Sequence, residues 1–149
     1  MRPLLNGETE TVRDRIFSEV TYHASYEPMR CVRTDRYKLI RRYDYHNGFV
    51  PSNTDDGLSK AFLMERGLME KTFDRDALYD LYHDPAERTN LANDSRYKDV
   101  YGELSLSLNN WMIKTNDPLV STLHRVIKPE GAVANRLSCP QPGLKDYEE

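Results

Sequence analysis

Short stretches typical of half-buried β-strands run through the first half of the chain. The predicted strands are residues 16–23, 29–34, 37–43 and 77–81. In the first of them, Ile16, Val20 and Tyr22 share one face at a period of two. Only Asp35 and Arg36 separate the second strand from the third, so these two are predicted to form an antiparallel hairpin.

A different periodicity follows, in which hydrophobic residues recur at steps of three and four. They are Tyr97, Val100, Tyr101, Leu104, Leu108, Trp111 and Met112. The pattern predicts an amphipathic helix over residues 96–114, capped by residues 93–95 and about 28 Å long. Its apolar stripe needs a sheet to cover. The predicted fold is therefore α+β, with an antiparallel sheet of about four strands covered by a long C-terminal helix. Leu104 and Trp111 are expected on the buried side.

Basic residues are frequent in the predicted hairpin, at Arg30, Arg33, Lys38, Arg41 and Arg42. We expect them to give the hairpin one polar face, as in a sheet that is covered on one side only. Glu19, on the first strand, is expected to pair with Arg30 or Arg33 across the sheet.

Turn-forming residues dominate residues 44–74, which are too many for a simple hairpin connection. A short helix is predicted at 58–66, with Thr54 or Asp55 as its cap and Gly67 as its end. Connections of this length are usually functional or mobile. Residues 118–149 contain four prolines and are predicted to be an irregular tail that wraps a neighbouring surface.

Charge and hydropathy exclude some classes of function. The net charge is −3 with both signs interspersed, which argues against a nucleic-acid partner. No apolar run approaches the roughly 20 residues that span a bilayer, so no membrane partner is expected. The first residues lack the features of a signal peptide. Cys31 and Cys139 can form one disulfide at most and do not decide the redox compartment.

Three ordered motifs carry a family resemblance. The first is Met29-Arg30-Cys31-Val32-Arg33-Thr34 with Tyr37-Lys38. The second is Leu78-Tyr79-Asp80-Leu81 with Asp84-Pro85 and Asn90-Leu91-Ala92. The third is Trp111 with Thr115-Asn116-Asp117-Pro118. Over about residues 16–120 the chain resembles the carboxy-terminal subdomain of a sulfatase, and most resembles the sulfamidase branch (N-sulfoglucosamine sulfohydrolase, heparan N-sulfatase). The same residues also have an ordinary structural reading as a core strand, a turn initiator and an asparagine bonded to nearby backbone.

The resemblance implies a parent hydrolase that removes sulfate, as an O-sulfate ester or N-sulfate, from a sugar or glycosaminoglycan. The sulfatase nucleophile is a formylglycine made within a Cys-x-Pro/Ser/Ala-x-Arg motif, and this chain has no such motif. Formylglycine and calcium are therefore expected in a missing catalytic domain. This chain would be inactive alone and would form one wall of the substrate site. The alternative is a free-standing binding or interaction module on the same scaffold.

The resemblance also implies a division of the chain. Residues 1–15 would be a linker from the missing catalytic domain, 16–117 the sulfatase C-terminal subdomain and 118–149 the wrapping tail. The expected partners are the catalytic domain and a sulfated sugar, and the separated chain is expected to self-associate. By the same resemblance the parent is expected to be exported to the periplasm, the extracellular space or the lysosome.

His23 is the candidate substrate-binding residue. It ends the first predicted strand, and in the resembling sulfatases a polar residue after that strand can reach the sugar. Imidazole suits the task because it donates hydrogen bonds and can be charged near neutral pH. The alternative is a strand-end histidine that bonds backbone. Four tyrosines are expected around the same rim: Tyr22, Tyr26, Tyr43 and Tyr45.

The remaining candidates favour structural readings. Asp55 and Asp56 have the oxygen chemistry of a hard-cation site, but their place before a short helix favours capping. Cys31 is expected to be a small strand hydrophobe. His46, His83 and His124 show no ligand spacing and are expected to be solvated.

Overall fold

The computed structural model describes residues 2–44 and 46–121. Within these residues, four strands form one sheet and four segments are α-helical. The strands are β1 (Ile16–Tyr22), β2 (Tyr26–Arg33), β3 (Tyr37–Arg42) and β4 (Asp76–Asp80). The helices are α1 (Arg2–Leu5), α2 (Leu58–Glu65), α3 (Lys98–Lys114) and α4 (Pro118–Ser121). The sheet order is β1-β2-β3-β4 and every pairing is antiparallel, so the predicted α+β fold is confirmed.

One row of hydrophobic residues crosses all four strands and forms the base of the core. Phe17 pairs with Val32, Val32 with Leu39 and Leu39 with Leu78. The three aliphatic members of this row are completely buried. They pack with residues of the long helix and of the segment after it, namely Leu104, Leu108, Met112 and Leu119. The register of the sheet thus presents one continuous apolar surface to α3.

The long helix begins slightly later than the sequence predicts. A 3₁₀ turn at Ser95–Tyr97 precedes α3, and the Asp94 side chain accepts a hydrogen bond from the Arg96 N–H at 3.0 Å. Asp94 therefore caps the 3₁₀ turn that leads into the helix, whereas the N-cap of α3 itself is Tyr97 and no side chain caps it. Leu104 is buried as expected. Trp111 is only partly buried at the edge of the core, where its ring stacks parallel to that of Phe17 at 5.1 Å.

The prediction that the five basic residues share one polar face is wrong. Arg30 and Arg41 are cross-strand partners on the face that α3 covers, and the Arg30 side chain is only 1% exposed. Arg30 pairs with Asp117, which follows α3, and its Nε also lies 3.5 Å from Glu19, so the predicted pairing of Glu19 with Arg30 is confirmed. Arg41 pairs with its cross-strand neighbour Asp76. By the alternation of strand side chains, the other three basic residues lie on the opposite face.

The segment between β3 and β4 is partly ordered by short elements. It contains 3₁₀ turns at Pro51–Asn53 and Leu68–Glu70 and the helix α2 between them. Gly67 follows α2 in the left-handed conformation, as its predicted role as the helix end requires. The predicted cap is wrong, because the N-cap of α2 is Gly57 and no side chain caps it.

The predicted tail lies mostly outside the described residues. Its first residues form α4 and bury Leu119 in the core, so they are helical rather than irregular. Cys139 and His124 lie beyond residue 121. Within residues 2–44 and 46–121, no helix is both long and apolar enough to cross a membrane.

Candidate functional site

His23 lies in the turn that joins β1 to β2 at one end of the sheet. The strands end and begin at the paired residues Tyr22 and Tyr26, so the turn comprises residues 23–25. The backbone N–H of His23 donates to the Ser25 carbonyl at 3.3 Å. The His23 side chain is exposed while Ser25 is buried. The His23 imidazole therefore faces solvent, while the turn is buried on its other side at Ser25.

Aromatic side chains flank this turn on the two strands that it joins. The rings of Tyr22 and Tyr26 lie 4.9 Å apart and are tilted by 48°. Both residues are half-buried. Tyr43, also expected at this rim, instead packs against the core, where its hydroxyl contacts the Met112 sulfur at 3.0 Å. Burial raises the pKa of Tyr43. Tyr45 is outside the described residues.

The buried side of the turn is bonded to the segment between β3 and β4. The Ser25 N–H donates to Asn53 Oδ1 at 2.7 Å, and Asn53 Nδ2 donates to Glu27 Oε2 at 2.9 Å. The other Glu27 oxygen accepts from Arg42 Nη1 at 3.2 Å. The Arg42 guanidinium lies 4.4 Å from the centre of the Phe73 ring. Residues of β2, of β3 and of the segment between β3 and β4 thus meet behind His23.

Sequence reasoning missed Asn53. Its sequence context, Pro51-Ser52-Asn53, signals a turn, which the structure bears out as a 3₁₀ turn. The turn signal does not indicate that Asn53 accepts a hydrogen bond from the backbone N–H of Ser25, which lies 28 positions earlier in the chain.

Asp55 and Asp56 do not have the predicted capping role. The Asp56 carboxylate pairs with Lys60 at 2.9 Å, and the ammonium of Lys60 also donates to the Thr54 carbonyl at 2.8 Å. Lys60 is 5% exposed, so the pair satisfies a buried ammonium. No group of three or more His, Cys, Asp or Glu side chains suited to a metal is found in the part of the chain that the structure describes.

The described histidines other than His23 differ from each other. His83 is exposed and contacts the Tyr82 ring edge-on, as expected of a solvated residue. His46 is half-buried with its Nε2 shielded from solvent, so the expectation that it is solvated is wrong. The His46 ring packs against the backbone of Gly48. The chain turns back on itself there, which brings Gly48 opposite Thr72.

The residues of the second motif have structural roles, as their ordinary reading predicts. Asp80 accepts hydrogen bonds from Arg36 at 2.7–3.2 Å, and these bonds lower the pKa of Asp80. Asn90 Oδ1 accepts from the N–H groups of Leu78 and Ala92 at 2.9 and 3.0 Å. The Asp84 carboxylate, in turn, accepts two backbone N–H groups of the following turn.

A partly buried polar cluster joins the sheet to the first half of α3. Arg41 donates to both oxygens of Asp76 at 2.8 and 2.9 Å and also reaches Tyr101 and Ser105. The Tyr101 hydroxyl donates to Asp76. Burial opposes ionisation of Asp76, but the hydrogen bonds from Arg41 and Tyr101 outweigh it and leave the pKa of this carboxyl below its ordinary value.

The face of the sheet opposite α3, here called the open face, has an apolar centre. Beside the polar residues Ser18, Glu19, Arg30 and Lys38, a depression of about 300 Å³ there is lined by Val20, Met29, Cys31 and Ile40. These side chains are half-buried. Cys31 is a free thiol whose pKa is raised by burial, in agreement with its expected role as a small strand residue. Among the described residues, α3 covers only the other face, so the open face is, beside the His23 turn, a surface to which a partner could bind.

Comparisons with known proteins agree with the sulfatase resemblance. The chain is 29% identical over 150 residues to an ulvan-active sulfatase of Formosa agariphila, and the match covers 96% of this chain and 30% of that protein. No protein-family model matches the chain. The chain therefore spans about a third of the length of the curated relative that it matches.

Solved structures share the fold. A 2-O GAG sulfatase aligns with a TM-score of 0.55 at 23% identity, over 97% of this chain and 26% of its own. A protein described in complex with its substrate D-glucosamine-2-N,6-O-disulfate aligns with a TM-score of 0.53 at 20% identity, over 78% of this chain and 20% of its own. The fold is that of a sulfatase C-terminal subdomain, and the sequence likeness to a sulfatase comes from the ulvan-active relative.

Proposed function

We propose that this chain is the C-terminal domain of a sulfatase-like hydrolase and forms one wall of its substrate site. The observation that carries the proposal is the exposed imidazole of His23 on a turn whose backbone is bonded from behind by Asn53. A turn held in place before binding loses little conformational freedom when a ligand arrives. His23 is thus suited to donate a hydrogen bond to a hydroxyl or sulfate oxygen of the substrate.

The chemistry itself is assigned to the rest of the parent enzyme. Formylglycine would supply the nucleophile there, and carboxylate oxygens would hold calcium. This chain has no Cys-x-Pro/Ser/Ala-x-Arg motif. It would contribute binding and selectivity, and the isolated chain would not turn over aryl sulfates or N-sulfoglucosamine. The parent would be an exported enzyme, as the sulfatase relationship suggests.

The substrate class that fits the site is a sulfated sugar of a polysaccharide, such as a glycosaminoglycan. Imidazole can carry a positive charge near neutral pH, which favours an anionic ligand. The adjacent rings of Tyr22 and Tyr26 offer apolar surface to a sugar. Within this class the sequence motifs favour N-sulfoglucosamine, the substrate of the sulfamidase branch.

The open face is assigned to the contact with the catalytic domain. Val20, Met29, Cys31 and Ile40 give this face an apolar centre, while α3 covers the other side of the sheet. Domain interfaces within one chain bury roughly 600–1,500 Å². The open face, with its apolar centre, is therefore a suitable surface for an interface of this area.

The complete protein tests the proposal. The coding sequence that contains this chain is expected to encode an in-frame Cys-x-Pro/Ser/Ala-x-Arg motif upstream. The purified complete enzyme would be assayed on N-sulfoglucosamine, on 2-O- and 6-O-sulfated sugars and on an aryl sulfate, with the motif Cys→Ala variant as control. Hydrolysis of a sulfated sugar that the control lacks supports the proposal. A complete coding sequence without the motif would favour the free-standing binding module instead.

A further inference from the structure

The turn that carries His23 has its buried side bonded to a different part of the chain. Ser25 is 1% exposed, and its backbone N–H reaches Asn53 Oδ1 at 2.7 Å. Asn53 belongs to the segment between β3 and β4 and lies in its first 3₁₀ turn. This long connection therefore touches the proposed substrate wall through a side chain rather than through packing alone.

The amide of Asn53 is held in one orientation by the polarity of its two partners. Its oxygen accepts from a backbone N–H, and its nitrogen donates to the Glu27 carboxylate at 2.9 Å. A flipped amide would set an N–H against an N–H and an oxygen against a carboxylate. Glu27 is itself fixed by Arg42 at 3.2 Å. Arg42 thus orients Glu27, Glu27 orients the Asn53 amide, and this amide holds the Ser25 N–H.

We infer that Asn53 is the positioning residue for His23, and that the segment between β3 and β4 thereby determines how the enzyme selects its sugar. The inference rests on the proposed role of His23 in the complete enzyme. Asn53 acts through the backbone of the turn and touches no substrate. Changes in the length or sequence of this segment would then move the His23 imidazole without altering β1 or β2.

Amide hydrogen exchange, measured by NMR on the 149-residue chain, tests the positioning directly. Asn53→Ala removes the acceptor of the Ser25 N–H, so the exchange protection of this amide is expected to fall by about tenfold. The shifts of residues 22–26 should change with it. Asn90→Ala is the matched control, because Asn90 also bonds backbone N–H groups but lies by β4. In this control the exchange protection of the Ser25 amide is expected to stay unchanged once any change in global stability has been subtracted.

A polarity exchange provides the rescue. In the double variant Asn53→Asp with Glu27→Gln, the carboxylate at position 53 still accepts from the Ser25 N–H. The amide nitrogen at position 27 donates to that carboxylate, and the amide oxygen at position 27 accepts from Arg42. The total charge is unchanged. The double variant is expected to restore Ser25 protection, whereas Asn53→Asp alone sets two carboxylates together and is expected not to. Unchanged Ser25 exchange in Asn53→Ala, or equal loss in the Asn90→Ala control, would overturn the inference.

The complete enzyme tests the functional half. Asn53→Ala is expected to lower kcat/KM on the sulfated sugar at least fivefold and to leave kcat/KM on an aryl sulfate unchanged, with recovery in the double variant. If Ser25 exchange rises but both His23→Ala and Asn53→Ala leave sugar turnover intact, the proposed function fails and selectivity through Asn53 fails with it. If His23→Ala impairs sugar turnover and Asn53→Ala does not, only the positioning inference is overturned.

Discussion

Arg30 and Asp117 form a buried ion pair that joins the second strand to the end of the long helix. Arg30 Nε lies 2.5 Å from Asp117 Oδ2 and Arg30 Nη2 lies 3.1 Å from Oδ1, and both side chains are 1% exposed. The remaining guanidinium nitrogen donates to the carbonyls of Val20 and Met29. One residue comes from the first motif of the sulfatase resemblance and the other from the third. The pair therefore joins two motifs that are far apart in the sequence.

Breaking this pair is expected to destabilise the fold strongly. Asp117→Asn keeps the shape of the side chain but leaves the buried Arg30 charge with only the exposed Glu19 carboxylate, 3.5 Å from Arg30 Nε, and is expected to cost about 3–5 kcal/mol. Urea unfolding would measure the loss. Glu103→Gln is the control, because the ion pair of Glu103 with Arg15 is solvent-exposed and contributes less than about 1 kcal/mol. Equal effects of the two substitutions would show that the buried pair does not anchor the helix.

The packing of α3 on the sheet gives a second prediction. Leu104→Ala removes a side chain that is 2% exposed in the core and is expected to lower the free energy of unfolding by about 2–5 kcal/mol. Leu106→Ala on the same helix removes a side chain that is 62% exposed, and its effect should be small. A comparable loss in both variants would contradict the assigned helix face.

Sequence patterning predicts the fold well where one local signal decides the outcome. Period two defines the strands to within a few residues, and the three- and four-residue steps define α3, because burial of an apolar face dominates both. The basic residues show the limit of this approach. The cross-strand partner Glu19 could be predicted, but nothing local indicates the buried acid Asp117, which is 87 positions from Arg30. His23 could be selected by its place after a strand, whereas Asn53 could not.

The stability of the protein is expected to depend on Asp76 at acidic pH. The pKa of this carboxyl is lower in the folded protein than its ordinary value of 3.8. The folded state therefore favours the ionised form. This contribution is complete above about pH 5 and is lost as the pH falls below 3.8 and through the folded-state pKa. The stability difference between the native protein and Asp76→Asn, measured by urea unfolding, should shrink over that range. A difference independent of pH would show that the carboxyl titrates normally.

The open face should make the separated chain self-associate. Ile40→Glu places a carboxylate on this face beside the basic residues there and is expected to weaken the association. Ile113→Glu alters an isoleucine on α3 that is 55% exposed and should leave the association unchanged. Light scattering across a concentration series measures both. A strictly monomeric native chain, or equal effects of the two variants, would remove the open face as the domain contact.

The most direct test of a substrate wall is His23→Ala in the complete enzyme, assayed on a sulfated sugar and on a small aryl sulfate. His83→Ala is the control, since His83 is also exposed but lies after β4. The expected result is a loss of about 1–3 kcal/mol in transition-state stabilisation on the sugar, little change on the aryl sulfate and an unchanged melting temperature. Equal losses on both substrates, or a large fall in melting temperature, would contradict the account and make His23 a structural residue.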